Sequence, residues 1–256
     1  TSSTTSDITV QGNLLGIGSD GVTDITTSRG VLFNSNSNIL VGGSDPNLGN
    51  YIGGIEGVSI TMIGVTNATV QNNYVGVGPD GLSAVSNTDH GVQITNASTG
   101  VIIDNNVISS NDGTASAGIY LDQLSGDVSI SNNIIGLDAN GDVAMPNDNG
   151  IEARNSTTVN ITDNVISGNN DTGLYFHTLN SDGFIVQGNK IGTDISGQLN
   201  RGNGSYGLRI LTDSDNHTIG GVNPGEENII SGNVNDAILI NGSTGHLFFN
   251  NIIGKS

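Results

Sequence analysis

Seven residues recur at a step that could bring them onto one surface: Tyr120, Asp122, Glu152, Arg154, Tyr175, His177 and Arg209. The chain is short of cations, with 6 Lys and Arg and 4 His against 24 Asp and Glu, for a formal charge of −18. Arginine and histidine gathered in one set therefore depart from the rest of the chain. Tyrosine rings can stack on sugars, and a carboxylate near a histidine can move protons. Arginine would steer an anionic group such as a uronate carboxylate. The same residues also suit an ordinary solvated sheet face, with Glu152 and Arg154 paired across a short gap. Both readings stand at this point.

The elements that would position these residues form a repeat. The segments GVLF (30–33), GVSI (57–60), GVQI (91–94), GIYL (118–121), GIEA (150–153), GLYF (173–176), GLRI (207–210) and AILI (237–240) are apolar at their second and fourth positions. Their third positions should point outward: Leu32, Ser59, Gln93, Tyr120, Glu152, Tyr175, Arg209 and Leu239. Two residues on, the next outward column is Asn34, Thr61, Thr95, Asp122, Arg154, His177, Leu211 and Asn241. Between these segments stands an Asn, at 13, 50, 73, 106, 133, 164, 189, 228 and 251. Two residues after each comes Leu15, Ile52, Val75, Ile108, Ile135, Ile166, Ile191, Ile230 or Ile253, always aliphatic. Alternation with period two marks strands with one buried face.

A step of about 30 residues with short strands and Gly/Asn turns is one coil of a solenoid. One coil cannot bury its apolar side alone, but stacked coils form a continuous column. The expected fold is all-β, a single-stranded parallel β-helix (β-solenoid) of about eight to nine coils. It forms one domain over residues 1–256, with the repeat over 8–254 and no capping helix. Stacked Asn side chains could donate and accept along the axis. Alternatively, each Asn merely tolerates a left-handed backbone.

Loops follow the same order. From the repeat Asn to the next Gly-strand is longer in alternate coils, after Asn13, Asn73, Asn133 and Asn189, which predicts a stacked ridge at one corner. These loops carry Asp20, Asp80, Asp138 and Asp194. GIGSDG (16–21) and GVGPDG (76–81) superficially match calcium-binding turns, but such turns need tandem units, so these read as Asx-turns with no metal site.

Composition removes other classes. With a charge of −18 the chain cannot neutralise phosphates, which excludes nucleic-acid binding and disfavours anionic membrane surfaces. No apolar run approaches the ~20 residues a membrane span needs. There is no Cys, hence neither disulfide nor thiolate site. No cofactor motif appears; GIGSDG precedes no helix pattern and is not a dinucleotide loop.

The runs DNHTIGGVNPGEENIISGN (215–233), GNKIGTDISG (188–197) and TDNVISGNNDTGL (162–174) resemble repeats of right-handed parallel β-helix proteins of the pectate-lyase-like superfamily, and most closely those in large secreted or surface proteins of microbes. The resemblance covers about residues 8–254 and implies a right-handed solenoid. It leaves activity open, since that superfamily holds lyases, hydrolases, epimerases, adhesins and filament proteins. NTDHG (87–91) resembles the start of a polygalacturonase signature, but its further aspartate pair, Gly-His-Gly and Arg-Ile-Lys are missing. His90 then belongs to a turn before the strand at Gly91.

The resemblance and the missing catalytic signatures point first to a non-enzymatic extracellular or cell-surface protein, structural or adhesive. It would associate with itself by end-to-end stacking, because residues 8–16 and 246–254 occupy equivalent places in the coil. The alternative is a polysaccharide-binding or polysaccharide-acting protein using the Tyr120–Arg209 face. Sequons at Asn67, Asn96, Asn155, Asn160, Asn170, Asn203, Asn216 and Asn241 are candidate glycosylation sites.

Overall fold

The computed structural model describes residues 5–177 and 180–254. Three parallel sheets run its length, two of 9 strands and one of 8. The chain visits them in turn. A first-sheet strand such as Val128–Ser131 leads through the Asn corner to a short second-sheet strand, Ile134–Ile135. A longer loop leads on to the third sheet, Asn149–Arg154, and the chain returns to the first one coil further along. Among the described residues there is no α-helix, only a 3-10 turn at Pro46–Leu48 whose N–H end is capped by Asp45. No helix is long and apolar enough to cross a membrane.

Coil follows coil in register. Ile108 pairs with Ile135, and Ile135 with Ile166, all three buried in one axial core. That core takes inward residues from all three sheets, including Phe33, Ile94, Leu121, Val186 and Ile210. It opens at the last described coil, where Ile252 and Ile253 are exposed.

The Asn corner explains how a tight turn can be buried. Each repeat Asn donates from Nδ2 to Oδ1 of the Asn one coil on, from Asn13→Asn50 at 2.8 Å through Asn106→Asn133 at 2.9 Å to Asn228→Asn251 at 2.8 Å. The same Oδ1 also accepts the backbone N–H of the preceding Asn, as in Asn106 N–H to Asn133 at 2.9 Å. One amide thus satisfies two buried donors per coil, as a dry corner requires. The left-handed residue is the one before the ladder Asn, at Gly12, Asn72, Asn105, Asn132, Asp163, Gly188 and Asn250. The amide bonding therefore explains the ladder position, and backbone tolerance explains its predecessor.

A second ladder, not anticipated, lines the corner between the second and third sheets. Asn87, Asn111, Asn147, Asn169, Asn203 and Asn233 are joined by amide bonds of 2.8–2.9 Å. This corrects one sequon. Asn203 is fully buried and its Nδ2 is committed to Asn233 and to the Ile166 carbonyl, so it offers no nitrogen to a glycan in the folded chain. Asn67, Asn96, Asn170, Asn216 and Asn241 are exposed, and Asn155 and Asn160 half-buried.

The long loops of alternate coils form the expected ridge. Each is closed by an antiparallel bridge, Ile17–Asp24, Val77–Ala84, Leu137–Ala144 and Thr193–Asn200. Neighbouring loops join where Ala139 N–H meets the Gly81 carbonyl at 2.9 Å and Ile195 N–H meets Gly141 at 3.0 Å. Asp20, Asp80, Asp138 and Asp194 each accept two backbone N–H groups of their own loop, as the Asx-turn reading requires. Bonds from Thr23 and Val22 hold Asp20 down to about 2. Asp194 reaches about 2 as well, because the N–H groups of Leu199 and Gln198 and the Ser196 hydroxyl outweigh its desolvation.

One coil sits in a different frame from that expected. In the third sheet Leu32 pairs with Thr61, and Thr61 with Gln93. Thr61, not Ser59, continues the outward row, and Ile63 follows Asn34. Ser59 takes the place of a strand-leading glycine. A Cβ on Gly30 would lie 2.1 Å from the Ser59 carbonyl, so the backbones meet there too closely for a side chain on Gly30.

Candidate functional site

The third-sheet register brings the seven residues onto one face. Tyr120 pairs with Glu152, Glu152 with Tyr175 and Tyr175 with Arg209, while Asp122 pairs with Arg154 in the next column. His177 follows the strand Leu174–Phe176 and packs its ring on Tyr175 at 4.7 Å.

Glu152 departs from the outward, solvated position expected for it. Only 2% of it is exposed. Its register neighbours on either side are tyrosines, and Arg154 clamps its Oε1 through Nε at 2.9 Å and Nη2 at 2.6 Å. Asn149 Nδ2 reaches Oε2 at 3.3 Å. This carboxylate is held in an ion pair, and its partner Arg154 lies over the Tyr120 ring at 5.5 Å. Hydrogen bonding to Glu152 raises the Arg154 pKa against the desolvation that would lower it. Asp122 accepts a bond from Asn155 Nδ2 at 3.3 Å.

Arg209 is placed differently. Its guanidinium lies over Tyr175 at 4.8 Å and over Tyr206 at 5.5 Å. It has no carboxylate within ion-pair distance among the described residues, and its buried Nε has no hydrogen-bond partner. A buried guanidinium N–H left unsatisfied is costly.

Two residues outside the expected set belong to the face. Tyr206 supplies the second ring against Arg209. His90, in the turn before the strand Val92–Thr95, stacks on Tyr120 with ring centres 4.4 Å apart and planes 11° apart. Its Nδ1 accepts the Ala117 N–H at 2.8 Å, which leaves the proton of the neutral ring on Nε2, 3.7 Å from Asp89. Beyond His90 the face deepens into a groove of about 480 Å³ that includes Arg29, Thr61 and Gln93. Three of the four arginines thus serve this one side, at 29, 154 and 209.

The electrostatics suit ligand binding near neutral pH. Desolvation lowers the pKa of His90 against the pull of Asp89 and Glu152. Desolvation, then Arg154 and Arg209, lower that of His177. Both rings are therefore neutral at pH 7. Desolvation raises Tyr120 and Tyr175, so both phenols stay protonated. Among the described residues no group of three or more His, Cys, Asp or Glu side chains is arranged to hold a metal ion.

Fold and register make the chain a parallel β-helix. Among solved structures it is similar to a DFA-IIIase from Arthrobacter chlorophenolicus without its lid, with a TM-score of 0.52 and 13% identity over 100% of this chain and 68% of that one. A mutant of that enzyme in complex with DFA-III gives 0.47 and 12%, over 94% of this chain and 52% of the other. The A-module of an Azotobacter vinelandii mannuronan C-5 epimerase gives 0.33 and 12%, over 86% and 58%. No family model matches the chain, and no curated protein matches it.

Proposed function

We propose that this protein binds acidic polysaccharide along the outer face of its third sheet. The observation that carries this is Arg209, held between Tyr175 and Tyr206 with no carboxylate of its own and with an Nε lacking an acceptor. A sugar carboxylate would complete that arrangement while sugar faces stack on the tyrosine rings. Arg29 in the adjoining groove offers a second cation. Arg29, Arg154 and Arg209 on this side are three of the six Lys and Arg in a chain of charge −18. The similar solved folds are named for enzymes that act on carbohydrate, which favours this reading over the structural, adhesive or filament one. An extracellular or cell-surface setting goes with such a ligand.

A catalytic version is favoured by one observation. His177 packs its ring on Tyr175 at 4.7 Å, where desolvation, then Arg154 and Arg209, lower its pKa, as a proton acceptor near a bound uronate requires. Glu152 is the weaker candidate, because Arg154 already occupies it.

Calorimetric titration with oligogalacturonate and oligomannuronate tests the proposal. Binding is expected, and Arg209→Ala should weaken it by about tenfold, the loss of one charge-assisted contact. Absence of binding to either polymer, or full affinity in the variant, overturns it. Product analysis of the same mixtures with His177→Ala separates binding from turnover.

A further inference from the structure

We propose that the outer face of the second sheet is a separate binding groove, which takes a neutral, extended oligosaccharide lying along the solenoid axis. This goes beyond the third-sheet reading and does not rest on it.

The floor is built by the first residue after each ladder Asn. Leu14 pairs with Tyr51, Tyr51 with Tyr74, Tyr74 with Val107 and Val107 with Ile134. At ~4.8 Å per coil this floor runs roughly 20 Å. Tyr51 and Tyr74 form its aromatic centre, with ring centres 5.1 Å apart and planes tilted by 36°. Both are half-buried, so each keeps a ring surface open. Desolvation raises the Tyr74 pKa, which keeps its hydroxyl protonated and able to donate.

Two walls enclose the floor. One is the loop ridge, where Ala139 lies against Gly81 and Pro79 against Gly21. The closeness is structural: a Cβ on Gly81 would meet that of Ala139 at 2.6 Å. The other wall is the left-handed row just outside the buried ladder, Asn72, Asn105 and Asn132. Between the walls lies a cavity of about 260 Å³ over Tyr74, Val107 and Ile134, and a second of about 360 Å³ lies between Leu14 and the loop ridge at Asp20, Val22, Pro79 and Asp80.

The wall amides are partly committed and partly available. Asn105 Nδ2 donates to Asn72 Oδ1, and Asn132 Nδ2 donates to Asp104 at 2.8 Å. The side-chain oxygens of Asn105 and Asn132 accept no bond from the described residues, and both residues are exposed at the cavity. They are acceptors without donors beside an aromatic floor, the complement of a sugar with hydroxyls at its edge and C–H groups on its face.

Charge selects the class of sugar. No Lys, Arg, His, Asp or Glu lines the cavity over Tyr74. In the neighbouring cavity Asp20 and Asp80 are the only charged residues, and their carboxylates are occupied by their own loop N–H groups. No cation lines either cavity, and the one in this row, Lys190, lies two coils beyond Ile134, so a uronate has nothing to pair with at the cavities.

The test uses the full chain in calorimetric and NMR titrations with cellohexaose, laminarihexaose and xylohexaose, and with oligogalacturonate as the anionic control. At least one neutral hexasaccharide should bind, shifting the resonances of Tyr51, Tyr74, Asn105 and Asn132. Tyr74→Ala should weaken it by about tenfold, one lost stacking platform. Arg209→Ala should leave it unchanged, and oligogalacturonate should not compete. Should Tyr74→Ala fail to fold, the double change Asn105→Gly and Asn132→Gly, which keeps the left-handed backbone on the exposed rim, carries the same expectation. The proposal is overturned by no binding of any neutral hexasaccharide at millimolar concentration. It is equally overturned by binding that Arg209→Ala abolishes, or by shifts that map away from the second sheet.

Discussion

The Asn corner and the outer face of the third sheet lie on the same coils and obey opposite rules. At the corner one side chain repeats nine times in one bonding pattern, buried at all seven positions between Asn13 and Asn251 and indifferent to which coil it occupies. On the third-sheet face no residue type persists: Gln93, Tyr120, Glu152, Tyr175 and Arg209 succeed one another in register. Repetition carries the scaffold because each coil must satisfy the same buried backbone. Chemistry is found where the repeat is broken, since a ligand recognises a particular sequence of groups and not their average.

The strongest way to break the comparison is to interrupt the ladder. Asn133→Ala removes the Oδ1 that accepts the Asn106 N–H, which is left buried without a partner, and takes from Asn106 Nδ2 one of its three acceptors. At about 1–3 kcal/mol for one orphaned buried donor, urea melts should show a loss of about 2 kcal/mol. A loss below about 1 kcal/mol would mean the ladder is decoration.

Next in size is acid. His217 is fully buried, with Nδ1 accepting the Phe184 N–H at 3.1 Å and Nε2 at 2.9 Å from the Ser214 hydroxyl. Its ring stacks on His246, whose Nδ1 in turn accepts the His217 N–H at 3.3 Å. Desolvation, then His246, push its pKa from 6.5 down to about 3, with Asp215 opposing. The unfolded chain therefore takes the proton before the folded chain does. Stability from this group is complete above about pH 6.5 and is lost as pH falls toward 3, at up to about 1.4 kcal/mol per pH unit. Melts of the native chain and of His217→Gln at pH 7 and pH 4.5 should differ in their pH dependence, with the variant flatter. Equal slopes would show that carboxylates alone set the acid limit.

On the face itself, Arg209→Ala should change stability little and binding by about tenfold, the reverse of the Asn133→Ala outcome. Arg201→Ala sharpens the contrast with the smallest effect. Arg201 is paired with Asp142 at 2.6 Å at the loop ridge. Such a partly exposed pair is worth at most about 1 kcal/mol, and uronate affinity should not move. Should both arginine variants lose affinity equally, net charge and not the Tyr175–Arg209–Tyr206 arrangement would be at work.

These elements also show what the sequence made legible. The nine Asn and the aliphatic residue two positions on lie at a fixed offset, so corner, inward face and coil count could be read directly. The second ladder was hidden because its Asn precedes the Gly-strand by a varying distance, three residues at Asn147, four at Asn87 and seven at Asn111. The second coil misled because GVSI and ITMI both fit the strand pattern, and only the close approach of Gly30 to Ser59 decides between them. Six of the seven face residues lie inside third-sheet strands, and His177 follows from the same period. His90 and Tyr206 come from loops, and they reach the face through contacts between coils that no local pattern encodes. Glu152 was placed on the correct row with the wrong exposure, since its burial depends on Arg154 and two tyrosines folding over it.

The ladder has a direction. Between ladder side chains every amide hands a hydrogen toward the higher-numbered coil, while from Asn50 onward Nδ2 also donates to a strand carbonyl of the coil before it. A gene for such a molecule can gain or lose length only in whole turns, because a complete turn brings one donor and one acceptor and leaves every neighbour satisfied. A shorter insertion must bulge outward as a loop, which is how this scaffold can gather new surface groups without disturbing what holds it upright.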